Sequence, residues 1–184
     1  MGLDLYFYRC KKSCYEQYKD DRDALCKETG LADWRWMSRA CVMRQASLSG
    51  APVKAEDEDD FPNECDSVIL VDNWSQHAGA VYRWLIERTE LTMQDRHPVM
   101  VSQECITELY KACQTVVSLE PDEDGYIDCN ICEQTLPAME SSYFGMTEYC
   151  EEYQEEVQQA LDTLNILFDT IDFDAEVVLV QASW

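Results

Sequence analysis

Leu3, Leu5 and Phe7 alternate with Asp4, Tyr6 and Tyr8 at the start of the chain, the two-residue period of a half-buried strand. Ser13 with Glu16 then forms a capping-box pattern, which predicts a charged helix from Cys14 to Glu28 that Gly30 stops. A second helix is expected over DWRWMSRACVMRQA, closed by SGAP. Periodicity lapses in KAEDEDDFPNECD, which reads as a solvated loop over 54–66. Ser67 to Val71 has the apolar density of a short buried strand. Asn73 with Gln76 resembles a capping box for a helix WSQHAGAVYRWLIERT, whose Trp74, Ala78, Val81, Tyr82 and Leu85 form one stripe. HPVMV predicts a short strand. Ser102 then caps a helix that turns Ile106, Leu109, Tyr110, Cys113 and Val117 inward. LEPDEDGYIDCNICEQTLPAME keeps neither period and reads as irregular. Thr147 is expected to cap the longest helix, running to about Asp169. Its core stripe is Tyr149, Tyr153, Val157, Ala160, Leu161, Leu164, Leu167 and Phe168. EVVLVQASW closes the chain as a strand rich in β-branched residues.

Strands at both ends with helices between them predict an α+β fold. A small antiparallel sheet joins the N- and C-terminal strands and packs against about four to five helices. At 184 residues and 46% hydrophobic, with five tryptophans and ten tyrosines, the chain has material for one domain with a real core.

Charge changes the picture. A formal charge of −23 makes the surface strongly negative whatever the fold. No lysine or arginine follows Lys111, and the last 73 residues carry 17 carboxylates. Such self-repulsion costs compact stability, and its return is solubility or a cationic partner. Binding nucleic acid directly through its phosphates needs the opposite sign. No apolar run suits a signal peptide or reaches the roughly 18 to 20 residues of a membrane span, and Tyr6 stands where myristoylation wants Ser or Thr. The expectation is a soluble intracellular protein whose ten cysteines are mostly reduced thiols.

The carboxylates are patterned most clearly in TEYCEEYQEEV. Glu148, Glu151, Glu152, Glu155 and Glu156 fall at the steps that make neighbours on one helix face. The i,i+4 pairs 148/152, 151/155 and 152/156 repel one another with no compensating lysine. A di-iron site would pair each Glu with a His three residues on, and neither His77 nor His97 stands in such a pair. EEYQE followed by DTID resembles the signature of all-helical, Mg²⁺-dependent nucleotide pyrophosphatases. On one unbroken helix, however, Glu155 and Asp169 lie about 21 Å apart, too far to share an ion. Cys129 and Cys132 make a single CxxC, which needs a second pair such as Cys10 and Cys14 for a zinc site; unrelated reduced thiols are the favoured reading. His77 and His97 read as packed or exposed histidines, and no GxSxG, P-loop or Rossmann glycine pattern occurs. No catalytic residue, cofactor or metal is therefore expected. Two acidic faces stand as partner-binding candidates: Glu148, Glu151, Glu152, Glu155 and Glu156, and the run Glu56, Asp57, Glu58, Asp59 and Asp60. Carboxylates one helical turn apart, about 5 to 6 Å, approach the spacing of phosphates along DNA. Mimicry of nucleic acid and an ordinary solvated face are both open readings.

Several blocks together resemble a family of small bacteriophage and prophage proteins. They are MGLDLYFY at the start, NWSQHAGAVYRWLIER and VMVSQECITELYKAC in the middle, LPAMESSYFGMTEYCEEY, and VQASW at the end. The blocks span the first nine residues and most of 72–184, so 10–71 reads as a helical insertion carrying the acidic loop. Departures include Met146, where the family has Ser, and Cys150, where it has Asp. The resemblance implies a phage or mobile-element origin and a role in the cytoplasm of the host bacterium; it brings no catalytic residues. Together with the charge, it leads to the expectation of a non-enzymatic, anti-CRISPR-like inhibitor of a defence system. Its partner would be a basic nucleic-acid-binding host protein such as a CRISPR effector, with no direct nucleic acid and no membrane. The alternative is a small-ligand or nucleotide-binding protein with a pocket at Tyr143, Phe144, Glu148 and Tyr149. The pyrophosphatase reading is the least favoured.

Overall fold

The computed structural model of the protein describes residues 4–29, 31, 67–75, 79–92, 97–139 and 148–183. In chain order the elements are β1 (Asp4–Lys11), α1 (Lys12–Tyr18), α2 (Arg22–Thr29), β2 (Val68–Ser75), α3 (Gly79–Ile86), β3 (Val99–Val101), α4 (Gln103–Val117), α5 (Cys129–Thr135), α6 (Glu151–Thr170) and β4 (Glu176–Ser183). The strands form one antiparallel sheet in the order β2-β1-β4-β3. The expected α+β architecture holds, and the two terminal strands lie side by side at its centre, with Phe7 opposite Val180 and Leu5 opposite Ala182.

Alternation along the central strands sorts side chains onto two faces. Leu5 and Phe7 of β1, Val178, Val180 and Ala182 of β4, and Val99 and Val101 of β3 pack into one core with α3, α4 and α6. Tyr6, Tyr8, Cys10 and Leu179 point the other way. They meet Leu25, Cys26 and Leu31, with Tyr15 and Tyr18 at the margin. The prediction of a half-buried first strand is thus corrected: Tyr6 and Tyr8 are buried on the opposite face from Leu5 and Phe7. A tyrosine ring contributes large apolar area, and its hydroxyl needs one polar partner. Tyr8 Oη donates to Gln181 Oε1 at 3.0 Å, and Gln181 Nε2 donates to the Leu31 carbonyl at 3.2 Å.

α1 and α2 cover this second face, and both belong to the segment read as an insertion. That segment departs after Lys11 and returns at Ser67, whose carbonyl accepts the Lys11 N–H at 2.8 Å. The edges expected for it, Cys10 and Val71, lie inside β1 and β2. The single helix expected from Cys14 to Glu28 is two short helices. Asp21 breaks it: its Oδ1 accepts the Ala24 N–H at 3.0 Å and caps α2. α1 starts after Lys11 with no side-chain cap, so the Ser13–Glu16 box is not used.

The expected cap at Asn73 is likewise overturned. β2 stays paired with β1 through Trp74 and Ser75, and α3 begins at Gly79. Ser102 caps α4 as expected, its Oγ accepting the Cys105 N–H at 3.1 Å. The segment read as irregular contains α5, whose first turn is capped by Asp128 Oδ1 at 2.9 Å from the Asn130 N–H. The second expected helix, over 33–46, and the acidic loop, over 54–66, lie outside the described residues. Among those described, no helix is long and apolar enough to cross a membrane.

Candidate functional site

α6 carries the patterned glutamates. It begins at Glu151, with Cys150 as its N-cap in extended geometry and no side-chain cap bond, and it runs unbroken to Thr170. Thr147, the expected cap, lies outside the described residues. The inward stripe is Tyr153, Val157, Ala160, Leu161, Leu164 and Leu167, all buried as expected, with Phe168 packed at the edge of the core.

The outward face is smaller than the sequence suggested. Glu148, Glu151, Glu152 and Glu155 are exposed, but Glu156 is 3% exposed and belongs to the interior. The reason is helical phase: Glu156 stands three residues after Tyr153 and four before Ala160, within the buried stripe. Its Oε1 accepts the Ala80 N–H at 3.3 Å at the first turn of α3, where the Gly79 N–H also points to it. Oε2 has no hydrogen-bond partner among the described residues. Burial raises the carboxyl to about 8, against the lowering pull of those two N–H groups. Glu156 therefore fastens α3 to α6 and offers nothing to a partner.

Its neighbours are fastened in the same way. Tyr153 Oη donates to the Leu136 carbonyl at the end of α5. Gln154 Nε2 reaches the carbonyls of Val116, Val117 and Leu119 at 3.1, 3.2 and 2.7 Å, closing the C-terminal end of α4. Tyr149 Oη donates to Glu133 and accepts the Ala138 N–H at 3.1 Å; burial first, then Glu133, pushes its hydroxyl up to about 12. The first turns of α6 are thus a structural hub on one side and an acidic ridge on the other.

The ridge has a companion that sequence reading missed. Tyr126 bridges to Cys150, and the Ile127 N–H donates to the Tyr149 carbonyl at 3.0 Å, so the loop before α5 lies against the start of α6. Asp122 shapes that loop: its Oδ1 accepts the N–H groups of Asp124 and Tyr126 at 3.0 and 2.9 Å, and Gly125 turns the chain at φ 83°. Only glycine takes that conformation without strain. Glu120, Asp122 and Asp128 meet Glu148 around an open cleft of about 740 Å³ whose walls include Tyr126 and Tyr149. The signal was present in the DEDG turn, but nothing local says where such a turn docks. Among the described residues no ion pair involves Glu120, Asp122, Asp128, Glu148, Glu151, Glu152 or Glu155. The Glu152 carboxyl is held below the usual range by a hydrogen bond from the Cys150 thiol and by its own backbone N–H.

Other candidates separate. Cys10 and Cys132 are buried in different clusters, one on each side of the sheet, which rules out the four-cysteine zinc arrangement with Cys14 and Cys129. Among the described residues no group of three or more His, Cys, Asp or Glu is placed to hold a metal ion. His97 Nε2 lies 2.8 Å from Asp23 Oδ1. His77, Tyr143, Phe144 and the run Glu56, Asp57, Glu58, Asp59 and Asp60 lie outside the described residues. No protein-family model, curated protein or solved structure matches the chain.

Proposed function

We propose that the protein is a phage- or mobile-element-encoded acidic inhibitor of a bacterial defence system, anti-CRISPR-like. On this reading it acts in the host cytoplasm without catalysis, by occupying the basic nucleic-acid-binding surface of a host effector. The observation that carries the reading is the ridge of Glu148, Glu151, Glu152 and Glu155 merged with Glu120, Asp122 and Asp128, in a region where the sequence provides no lysine or arginine. A surface held at one sign on a rigid helix attracts the opposite sign over a Debye length and speeds encounter. The resemblance of the sequence blocks to phage proteins supports the origin, and the charge supports the target class. Glu156 drops out of the proposed contact set; the run Glu56 to Asp60 stays in it as a proposal from sequence.

The alternative nucleotide pocket at Glu148 and Tyr149 fares worse on physical grounds. The cleft there is walled by carboxylates, which repel phosphates.

The test is capture of a purified CRISPR effector by the immobilised protein, at low salt and at 0.5 M salt, a range of screening set by the Debye length. Binding that weakens at least about tenfold at high salt, and again on changing Glu148, Glu151, Glu152 and Glu155 to Gln, is the expected result. Binding indifferent to both changes overturns the electrostatic mechanism. Failure to retain any nucleic-acid-binding protein from a host lysate overturns the target class.

A further inference from the structure

α5 opens with Cys129, Asn130, Ile131 and Cys132, and the acidic ridge uses neither sulfur. Residues three apart in an α-helix have Cα atoms about 5 Å apart, inside the span of about 4.4–6.8 Å that a disulfide accepts. The turn that carries them is fixed. Asp128 Oδ1 accepts the N–H groups of Asn130 and Ile131 at 2.9 and 3.2 Å, and the Cys132 N–H donates to the Asp128 carbonyl at 3.1 Å. The two thiols differ in access. Cys129 is exposed and lines the cleft of about 740 Å³, whereas Cys132 is 0% exposed and packs in the main core. An outer thiol can meet a reagent and an inner one complete the exchange.

Burial first, then Asp128 and the Cys129 sulfur, push the Cys132 thiol up to about 11, so the two sulfurs act on one another across the turn. A sulfur that ionises so reluctantly is a poor leaving group, and a disulfide closed onto it reopens slowly. Among the described residues the pair belongs to no group of three or more His, Cys, Asp or Glu placed to hold a metal ion, which leaves covalent chemistry at sulfur. The surroundings select the reagent. Glu120, Asp122, Asp128 and Glu148 line the same cleft, and among the described residues no ion pair engages them. Their field repels an anionic disulfide such as oxidised glutathione and attracts a cationic one.

We propose that Cys129 and Cys132 are a reversible dithiol–disulfide pair, oxidised by a small cationic disulfide of the aminothiol class. Cys129 loses its proton to water, and its thiolate attacks one sulfur of the reagent. The reagent's S–S bond breaks, and one aminothiolate leaves and is protonated. Cys132 then loses its proton and attacks the Cys129 sulfur of the mixed disulfide, expelling the second aminothiolate, which is protonated in turn. Two protein thiols have become one disulfide, and the reagent has taken up two electrons and two protons as two aminothiols. The pair does not rest on the inhibitor reading, which needs no thiol.

The test treats the native full chain at low salt and about pH 8, where thiols begin to ionise, with cystamine or with oxidised glutathione. After an acid quench the protein is alkylated in denaturant, cleaved after glutamate and weighed. Peptide 124–133 holds Cys129 and Cys132 and no other cysteine. It is expected two hydrogens lighter and closed to alkylation, at least about tenfold faster with cystamine, and that ratio falls at least about threefold at about 0.5 M salt. Cys129→Ser leaves Cys132 unreacted, Cys132→Ala stops at a mixed disulfide on Cys129, and Cys150→Ser closes the bridge as the native chain does. Circular dichroism confirms that the variants fold. A lasting adduct on Cys129 in the native chain with Cys132 still open to alkylation, or a bridge that closes only in denaturant, overturns the pair. A ratio that salt leaves unchanged overturns the cationic class of reagent.

Discussion

Glu156 shows how one residue can carry the opposite role from its neighbours of the same type. A carboxyl raised from 4.5 to about 8 holds its proton in the folded state over a range where the unfolded chain has lost it. The native state then binds more protons than the unfolded state, so the stability this group contributes falls as pH rises from about 4.5 to about 8. At about 1.4 kcal/mol per pH unit the change is on the order of a few kcal/mol. Glu156→Gln keeps an amide oxygen for the Gly79 and Ala80 N–H groups and cannot ionise. Urea unfolding at pH 5 and pH 8.5 is expected to show the variant gaining on the native chain at the higher pH. Subtracting the two curves removes the general repulsion of a −23 chain. A difference that stays constant across this window means that Glu156 does not titrate as described. Its burial was legible from its phase beside Tyr153 and Ala160, but the strong run of glutamates around it points the other way.

Among the elements, α6 organises its neighbours through single side chains. Gln154→Ala removes three bonds to the end of α4 and is expected to cost about 1–3 kcal/mol. Hydrogen exchange checks this, with protection lost first in the last turn of α4. Gly125 is the other sensitive point. At φ 83° with nothing within 4 Å of an added Cβ, Gly125→Ala carries backbone strain alone, about 1 kcal/mol, measurable by denaturant midpoint. The Ser102 cap and the α6 stripe were legible because short-range chemistry decides them. The break at Asp21, and the extension of β2 through Trp74 and Ser75, were not. In both places a capping pattern competed with another local or cross-strand bond, and the partner settled the outcome.

For the whole molecule, two quantities matter: charge and the covering of the second sheet face. Raising salt from 0.05 to 0.5 M shortens the Debye length to a few ångströms and screens self-repulsion, so the melting temperature is expected to rise. A gain of about 1 kcal/mol corresponds to roughly 2–4 °C in a chain of this size. An unchanged melting temperature means that the carboxylates are too dispersed to repel. Replacing 12–66 with a short Gly/Ser linker is geometrically simple, since Lys11 and Ser67 are hydrogen-bonded. It nevertheless uncovers Tyr6, Tyr8, Cys10 and Leu179. The expected result is binding of a hydrophobic dye and lower solubility.

The sequence by itself determined the terminal strands, the α4 and α6 core stripes and the uncompensated negative charge of the last 73 residues, because each follows from residue type at short range. Tertiary structure decided the rest. Docking of the loop before α5 against Cys150 gathered carboxylates from distant positions into one cleft, and packing of α3 against α6 gave the buried Glu156 its N–H partner at Ala80. A helical segment read as an addition became the cover of the central sheet. Which charges stand together depends on contacts between residues far apart in the chain, and no local pattern encodes those.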